Sequence, residues 1–405
     1  MKSLRVAAAG FALLLTYFAG AAAAQEFPFG SHRQSYADDV LKPKGKQKAL
    51  DQKVAAFYAE WKAAYLRPGC GAGQYFIKAD TFSGATVVSE GQGYGMLVLA
   101  LMAGEEPDAQ AIFDGLYRYY LAHPSKVDPN LMAWAQDADC HDIMGGDSAT
   151  DGDLDAAYAL LLAHKQWGSD GALNYLAGAK RVMTAMMASN VVSRTNLTNL
   201  GDWVTLGKSK YSFASRSSDW MPGHFRAFAK KGSKDWKDVL AATRKTAARL
   251  QTTYAPGTGL LPDFVVDTDA TAKPAPKGFL EGETDGSYGY NACRDPWRFG
   301  VDAALSGDKT STKIARKISA WARKKTGNRP GKLRDGYALD GSPLVEYQSM
   351  AFVAPFSVAA MVDPDAQKWL DALWTSMVET PAEGYYPDSI RLLSMIAVSR
   401  NWLTP

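Results

Sequence analysis

Cysteine is scarce in this chain: there are three in 405 residues, Cys70, Cys140 and Cys293. No two of them have the close spacing of zinc ligands, and His141 stands alone beside Cys140, so no metal or other cofactor is expected. An odd number in an oxidising compartment permits at most one intramolecular bridge, and Cys70 with Cys140 is the expected pair. Beyond the N-terminal residues no apolar run reaches the roughly 18 residues of a membrane span. Surplus charge is lacking too. The formal charge is +3, and +1 once Lys2 and Arg5 are set aside, which leaves neither the basic footprint of a nucleic-acid binder nor an acidic tail. Strands do not alternate with helices, which argues against a Rossmann sheet or a TIM barrel.

What is present begins with a secretory signal over residues 1–24. Lys2 and Arg5 form its charged start, Phe11 to Phe18 its apolar core and Ala22 to Ala24 its cleavage site. A mature protein beginning near Gln25 is therefore expected outside the bacterial cytoplasm, secreted or periplasmic. Residues 25–48 read as a loose, polar, extended segment, and residues 49–405 as one domain. With 47% apolar residues the domain can bury a substantial core, and a monomer is the default.

Apolar residues at helical spacing predict a first helix over 49–65, through Leu50, Val54, Phe57, Tyr58, Trp61 and Tyr65. Eleven more follow near 92–103, 109–122, 153–166, 171–188, 221–230, 235–252, 294–304, 311–325, 347–361, 366–378 and 387–401. Odd-numbered helices carry Lys and Arg on one side, whereas the second and tenth are apolar nearly all round and must be buried. Twelve helices that alternate in this way fit six hairpins closed into a ring, an all-α (α/α)6 barrel. A small β-hairpin, Tyr75–Ile77 with Ala85–Val88, is expected before the second helix. In this register the N-termini of the even-numbered helices share one rim. Glu90, Asp151, Trp220, Asn291 and the pair Tyr385 and Tyr386 all fall there.

Glu90 sits between a short apolar strand and a wholly apolar helix. Desolvation there raises a carboxyl's pKa toward the range of a general acid; alternatively Glu90 caps the helix. Gly91, Gly93 and Gly95 match neither the dinucleotide fingerprint nor a P-loop, and are expected to let a bulky ligand approach the backbone. The second acidic stretch is Asp151, Asp153 and Asp155, running into the fourth helix. Ala156 and Leu162 occupy positions where a calcium loop needs glycine and glutamate, which leaves helix capping by Thr150 or Asp151, or hydrogen bonding to sugar hydroxyls.

Taken together, Ser89 to Met96 and Ala149 to Trp167 resemble glycoside hydrolase family 8, the inverting endo-glycanases built on an (α/α)6 barrel. The resemblance covers most of the mature chain and departs from the signature only at Ala156. It implies that Glu90 is the proton donor and that Asp151 holds the sugar at the cleavage point. Many members place a catalytic Asp where this chain has Asn291, in Tyr290 to Arg298. An amide cannot be a general base. The resemblance to a branch with the base on an upstream loop implies Glu281, although Glu283 and Asp285 share that loop and Asp295 competes from a helix start. Trp134 is the implied sugar platform, with Trp203, Trp220, Tyr288 and Tyr386 as weaker candidates. Arg294 is expected to orient a carboxylate or a sugar hydroxyl, and Trp297 to be structural, while Glu346 and Gln348 receive no role. The expected substrate is a β-linked polysaccharide, a β-1,4-glucan first. Chitosan is the alternative, because a near-neutral protein gains no long-range attraction for a polycation. A barrel that binds glycans without cleaving them is the reading from a different class.

Overall fold

The computed structural model describes residues 26–79, 81 and 84–405. The expected signal segment, with its cleavage point at Ala24 and Gln25, lies outside the described residues, as do Phe82 and Ser83 of the 81–84 turn.

Twelve α-helices follow one another: α1 (Gln47–Tyr65), α2 (Ser89–Leu101), α3 (Ala109–Ala122), α4 (Thr150–Trp167), α5 (Tyr175–Ser189), α6 (Pro222–Lys231), α7 (Trp236–Thr253), α8 (Asp295–Ser306), α9 (Lys309–Thr326), α10 (Met350–Ala360), α11 (Gln367–Glu379) and α12 (Tyr385–Val398). The even-numbered helices touch in cyclic order, α2 to α4 and onward to α12, which returns to α2. This is the inner ring of the expected (α/α)6 barrel. Composition explains which helices line it. Every residue of α10 is buried, and every residue of α2 except Glu90. By contrast α9 buries a single stripe, Ser311, Ile314, Ala315, Ile318, Ser319, Ala322 and Thr326, as an outer helix should.

The glycines of α2 serve this packing. A Cβ on Gly91 would stand 2.8 Å from the Tyr385 hydroxyl, one on Gly93 2.9 Å from the Gly152 carbonyl of α4, and one on Gly95 2.4 Å from Ile77. The expectation that they admit a ligand is therefore corrected: protein fills the space they leave.

Two further expectations need correction. The expected hairpin closes a step later than Tyr75–Ile77, with Ala79 N–H bonded to the Thr86 carbonyl at 2.7 Å and Thr81 N–H to the Ala85 carbonyl at 2.9 Å, and Tyr75–Ile77 itself pairs elsewhere. It forms β2, antiparallel to β1 (Leu66–Pro68), while β3 (Val87–Val88) pairs with β4 (Ala135–Gln136). The 131–148 loop returns to the start of α2, where Ser89 N–H bonds to the Trp134 carbonyl at 2.8 Å, and this places β4 beside β3. Short pairs also form between β5 (Val191–Val192) and β6 (Leu197–Thr198), and in a three-stranded sheet ordered β7 (Ser215–Arg216), β8 (Phe264–Val266), β9 (Lys273–Pro274). Nor is the segment before α1 loose. It lacks regular structure up to Lys46 but crosses the barrel end where the even-numbered helices finish. Phe29 N–H bonds to the Ala103 carbonyl, Ala37 N–H to Ala304 and Leu41 N–H to Met361, and the Tyr36 hydroxyl donates to Ala397. These contacts strap the floor and leave the opposite rim open. Cys70 and Cys140 form the expected disulfide, with Cα atoms 6.3 Å apart, and Cys293 is free and buried.

Candidate active site

Three aspartates at positions 151, 153 and 155 fan out from α4, because each residue turns about 100° around a helix. Of the three only Asp151 serves the helix start, its Oδ1 accepting Gly152 N–H at 3.0 Å. The residue before the helix, Ala149, makes no capping bond, and the Thr150 hydroxyl donates to the Asn199 carbonyl at 2.9 Å. Asp153 points to the outer ring, where it accepts from the Tyr120 hydroxyl at 2.5 Å and from Met132 N–H at 3.1 Å. Asp151 and Asp155, one turn apart, face the start of α8, where Arg294, in the turn just before the helix, and Arg298 within it are likewise four residues apart. The result is a two-rung ladder across the barrel. In the lower rung Arg298 grips both oxygens of Asp155 at 2.8 and 2.6 Å, with His224 at 2.8 Å.

The upper rung is the rim. Arg294 Nη1 donates to Asp151 Oδ2 at 2.7 Å and to Glu90 Oε2 at 2.6 Å. Its Nη2 reaches the Ser218 hydroxyl at 2.9 Å and Asn291 Oδ1 at 3.2 Å. The amide of Asn291 is oriented by that contact, since a guanidinium can only donate, and its Nδ2 donates to Glu281 Oε2 at 2.7 Å. An unbroken line of hydrogen bonds therefore runs from Glu90 through Arg294 and Asn291 to Glu281. The other Glu281 oxygen accepts from Arg216 Nη2 at 2.8 Å.

The ends of this line differ in surroundings. Glu90 is 17% exposed. It does not cap α2, and burial pushes its pKa up to about 7. The Arg294 charge opposes that rise and the Asp151 charge adds to it. At Asp151 burial also works against the charge, but Arg294, with Arg216 behind it, overrides burial and holds the carboxyl below its ordinary range. Of two neighbouring acids, Asp151 takes the negative charge and Glu90 keeps the proton. Where that proton sits follows from the partners. Oε2 faces Arg294, which only donates, whereas Oε1 meets the Tyr385 hydroxyl at 2.9 Å, which can donate or accept. Protonated Glu90 thus carries its hydrogen on Oε1. Glu281, 48% exposed, is offered only N–H donors.

Asp285 shapes the Glu281 loop: its two oxygens accept the N–H groups of Leu280, Glu281 and Gly282 at 2.7, 3.1 and 2.9 Å. Glu283 is exposed, and Asp295 is fully buried inside α8.

Trp134 is partly exposed at the same rim, and its carbonyl accepts Ser89 N–H at 2.8 Å. Tyr386, also partly exposed, donates its hydroxyl to the Tyr290 carbonyl and lies 6.0 Å from the Arg294 guanidinium. It is Tyr385, not its neighbour, that touches Glu90. Trp203 is partly exposed, whereas Trp220, Tyr288 and Trp297 are entirely buried core. Among the described residues no cluster of His, Cys, Asp and Glu is arranged to hold a metal. Sequence reasoning missed Arg216, Tyr385 as the partner of Glu90, and the lower rung. The rung left a legible trace in the matched four-residue spacings; Arg216 left none.

The sequence matches Glycosyl hydrolases family 8 over residues 49–400. The chain belongs to this family. Among family 8 relatives, it is 43% identical to a protein of Niallia circulans named Beta-glucanase, across all of this chain and 97% of that one. It is 40% identical to an Endoglucanase of Bacillus sp. strain KSM-330, across 90% of this chain and 80% of the other. The solved apo structure of a Beta-1,3-1,4-glucanase from Paenibacillus sp. X4 superposes with a TM-score of 0.91 at 44% identity, covering 94% of this chain and all of that one. The oligoxylanase Rex8A of Paenibacillus barcinonensis, at 20% identity and a TM-score of 0.75, shares the fold.

The buried acids of this family 8 chain set its stability against pH. Burial raises Asp153 to about 8 and Asp219 and Asp263 to about 7, alongside Glu90 at about 7. Each keeps a proton that the unfolded chain releases near pH 4, so stability falls as pH rises from there through 7 to 8. Asp155, held at about 2 by Arg298 and His224 against its burial, works the other way: its contribution is lost only as pH falls below 4. Thermal melts should give a higher Tm at pH 5 than at pH 8.5. An equal or lower Tm at pH 5 would contradict these protonation states.

Proposed function

We propose that this protein is a secreted, monomeric, cofactor-independent endo-β-glucanase that cleaves β-1,4-linked glucan, mixed-linkage chains included, with inversion of configuration. Residues 49–405 form its single catalytic domain. Glu90 protonates the departing glycosidic oxygen, and Glu281 takes a proton from the attacking water. Asp151 holds the sugar between them, Trp134 and Tyr386 offer flat faces to the pyranose rings, and Arg294 and Asn291 keep the carboxyls in register.

The observation that carries this reading is the line Glu90–Arg294–Asn291–Glu281. It joins a protonated carboxyl to an exposed one while keeping them apart. That supports the separation, roughly 6.5–9.5 Å, in which an inverting enzyme lodges its water. The names carried by the relatives favour glucan over chitosan.

The test is the release of reducing ends from barley β-glucan, carboxymethylcellulose, chitosan and xylan, with proton NMR of the first product formed. β-Glucan should be cleaved to the α-anomer; a β-anomer, or no cleavage of any glycan, would sink the proposal. Glu281→Ala should lower kcat by about 10²–10⁴-fold, the range for loss of a general base, with partial rescue by azide. Glu283→Ala should stay near wild type, and the reverse outcome moves the base to Glu283.

A further inference from the structure

We propose that Arg216 is the positioning residue for the base: it fixes the Glu281 carboxylate toward the attacking water without touching the substrate itself. The inference rests on Glu281 being the base.

Glu281 stands on a loop and is half exposed, so a free glutamate there would sample several rotamers at a cost in turnover. Asp285 gathers the loop's N–H groups and thereby fixes the backbone. Asn291 holds one carboxylate oxygen at 2.7 Å and Arg216 the other at 2.8 Å. Two donors on two oxygens define the plane of the carboxylate, which one donor cannot do.

Arg216 is itself rigid. It belongs to β7, whose neighbour β8 runs beside β9, shortly before the base loop. Its guanidinium lies 5.1 Å from the Phe264 ring, and its side chain is only 15% exposed. For stability alone the residue is poorly used. Its Nε is buried without a hydrogen-bond partner, its remaining contact is a long 3.4 Å bond to the Leu200 carbonyl, and burying a guanidinium costs free energy that one half-exposed partner does not return. Its geometry is accounted for by what it holds. Burial works against the Arg216 charge, but the carboxylates of Glu281 and Asp151 outweigh it, so the guanidinium stays charged while it holds Glu281.

The experiment compares Arg216→Met and Arg216→Lys in the full chain on β-glucan, with each change also made in a Glu281→Gln background. Arg216→Met should lower kcat by about 10–100-fold, the scale of a small misplacement of a reacting group. KM should stay within about 3-fold, because no substrate contact is lost. Arg216→Lys, which keeps a charge but not the fork, should recover part of the rate. In Glu281→Gln, Arg216→Met should cost less than about 3-fold more, since two changes acting through one group do not add. If Arg216→Met turns over normally while Glu281→Gln is inactive, the role of Arg216 is refuted and the base stands. A loss that persists undiminished in the Glu281→Gln background marks Arg216 as merely structural and also overturns it. If Glu281→Gln is itself active, the base assignment falls, and this inference with it.

Discussion

Glu90→Gln should lose about 10²–10⁴-fold in turnover of β-glucan, the span over which a positioned acid accelerates bond cleavage. Glutamine keeps the shape of the side chain and can still meet Tyr385 and Arg294, so folding and KM should change little. The loss should depend on the leaving group. A glycosyl fluoride departs without full protonation, and its hydrolysis should fall far less than that of the polymer. In the wild type the same proton sets the alkaline side of the profile. The acid is useful only while protonated, and burial places its pKa at about 7; kcat/KM should therefore decline as pH rises through that value, and Glu90→Gln should lack this limb. Equal losses on fluoride and polymer would mean that Glu90 does something other than deliver a proton.

Arg298→Met should produce the largest loss of stability. Asp155 is sealed from water, and both its oxygens are committed to Arg298. Removing the cation leaves a buried carboxylate with His224 alone, a change of about 3–5 kcal/mol for a broken buried pair. His224 could respond by taking a proton, but its own burial disfavours the charged form. A fall in Tm by several degrees is expected, and the double variant Asp155→Asn with Arg298→Met should recover part of it, because the lone charge is then gone. A double variant no more stable than Arg298→Met alone would show that packing around Trp297, 3.8 Å from the guanidinium, dominates instead.

Much of this was legible from residues alone, and the exceptions have physical causes. Helices announce themselves through periodicity, so α1 to α12 fall within a few residues of expectation. The buried character of α2 and α10 identifies the inner ring. Cys70 and Cys140 are paired as expected. Contacts across long sequence separations are less visible. The hairpin closes through Ala79 and Thr86 and not through Tyr75–Ile77, because β3 pairs some fifty residues onward with β4, where the 131–148 loop returns. The glycines of α2 were misread because a small residue looks the same whether a ligand or Tyr385 fills the space. Glu90 and Asp151 share the chemistry of a helix cap, and only the position of Arg294 shows that both side chains also meet a guanidinium across the barrel. Trp220 and Tyr288 lie in the core because the rim position of a residue does not settle which way its ring turns.

The two ends of the hydrogen-bonded line stand on different foundations. Glu90, Asp151 and Arg294 grow out of helices packed in the main core. Glu281 and Arg216 hang on a small separate cluster of Leu200, Val204, Ala214, Phe264, Val266, Ala275 and Phe279, with Trp203, Tyr211 and Leu280 packed against it. On the proposed roles, that would make the acid an heirloom and the base an accessory. A lineage could rebuild the smaller cluster, lengthen its loops or hand the proton-accepting task from position 291 to position 281 while the ladder beneath Glu90 stayed as it was. On the proposed roles, the asparagine that bridges Arg294 and Glu281 has the form such a transfer would leave behind: an amide that cannot take a proton but holds the carboxylate proposed to do so.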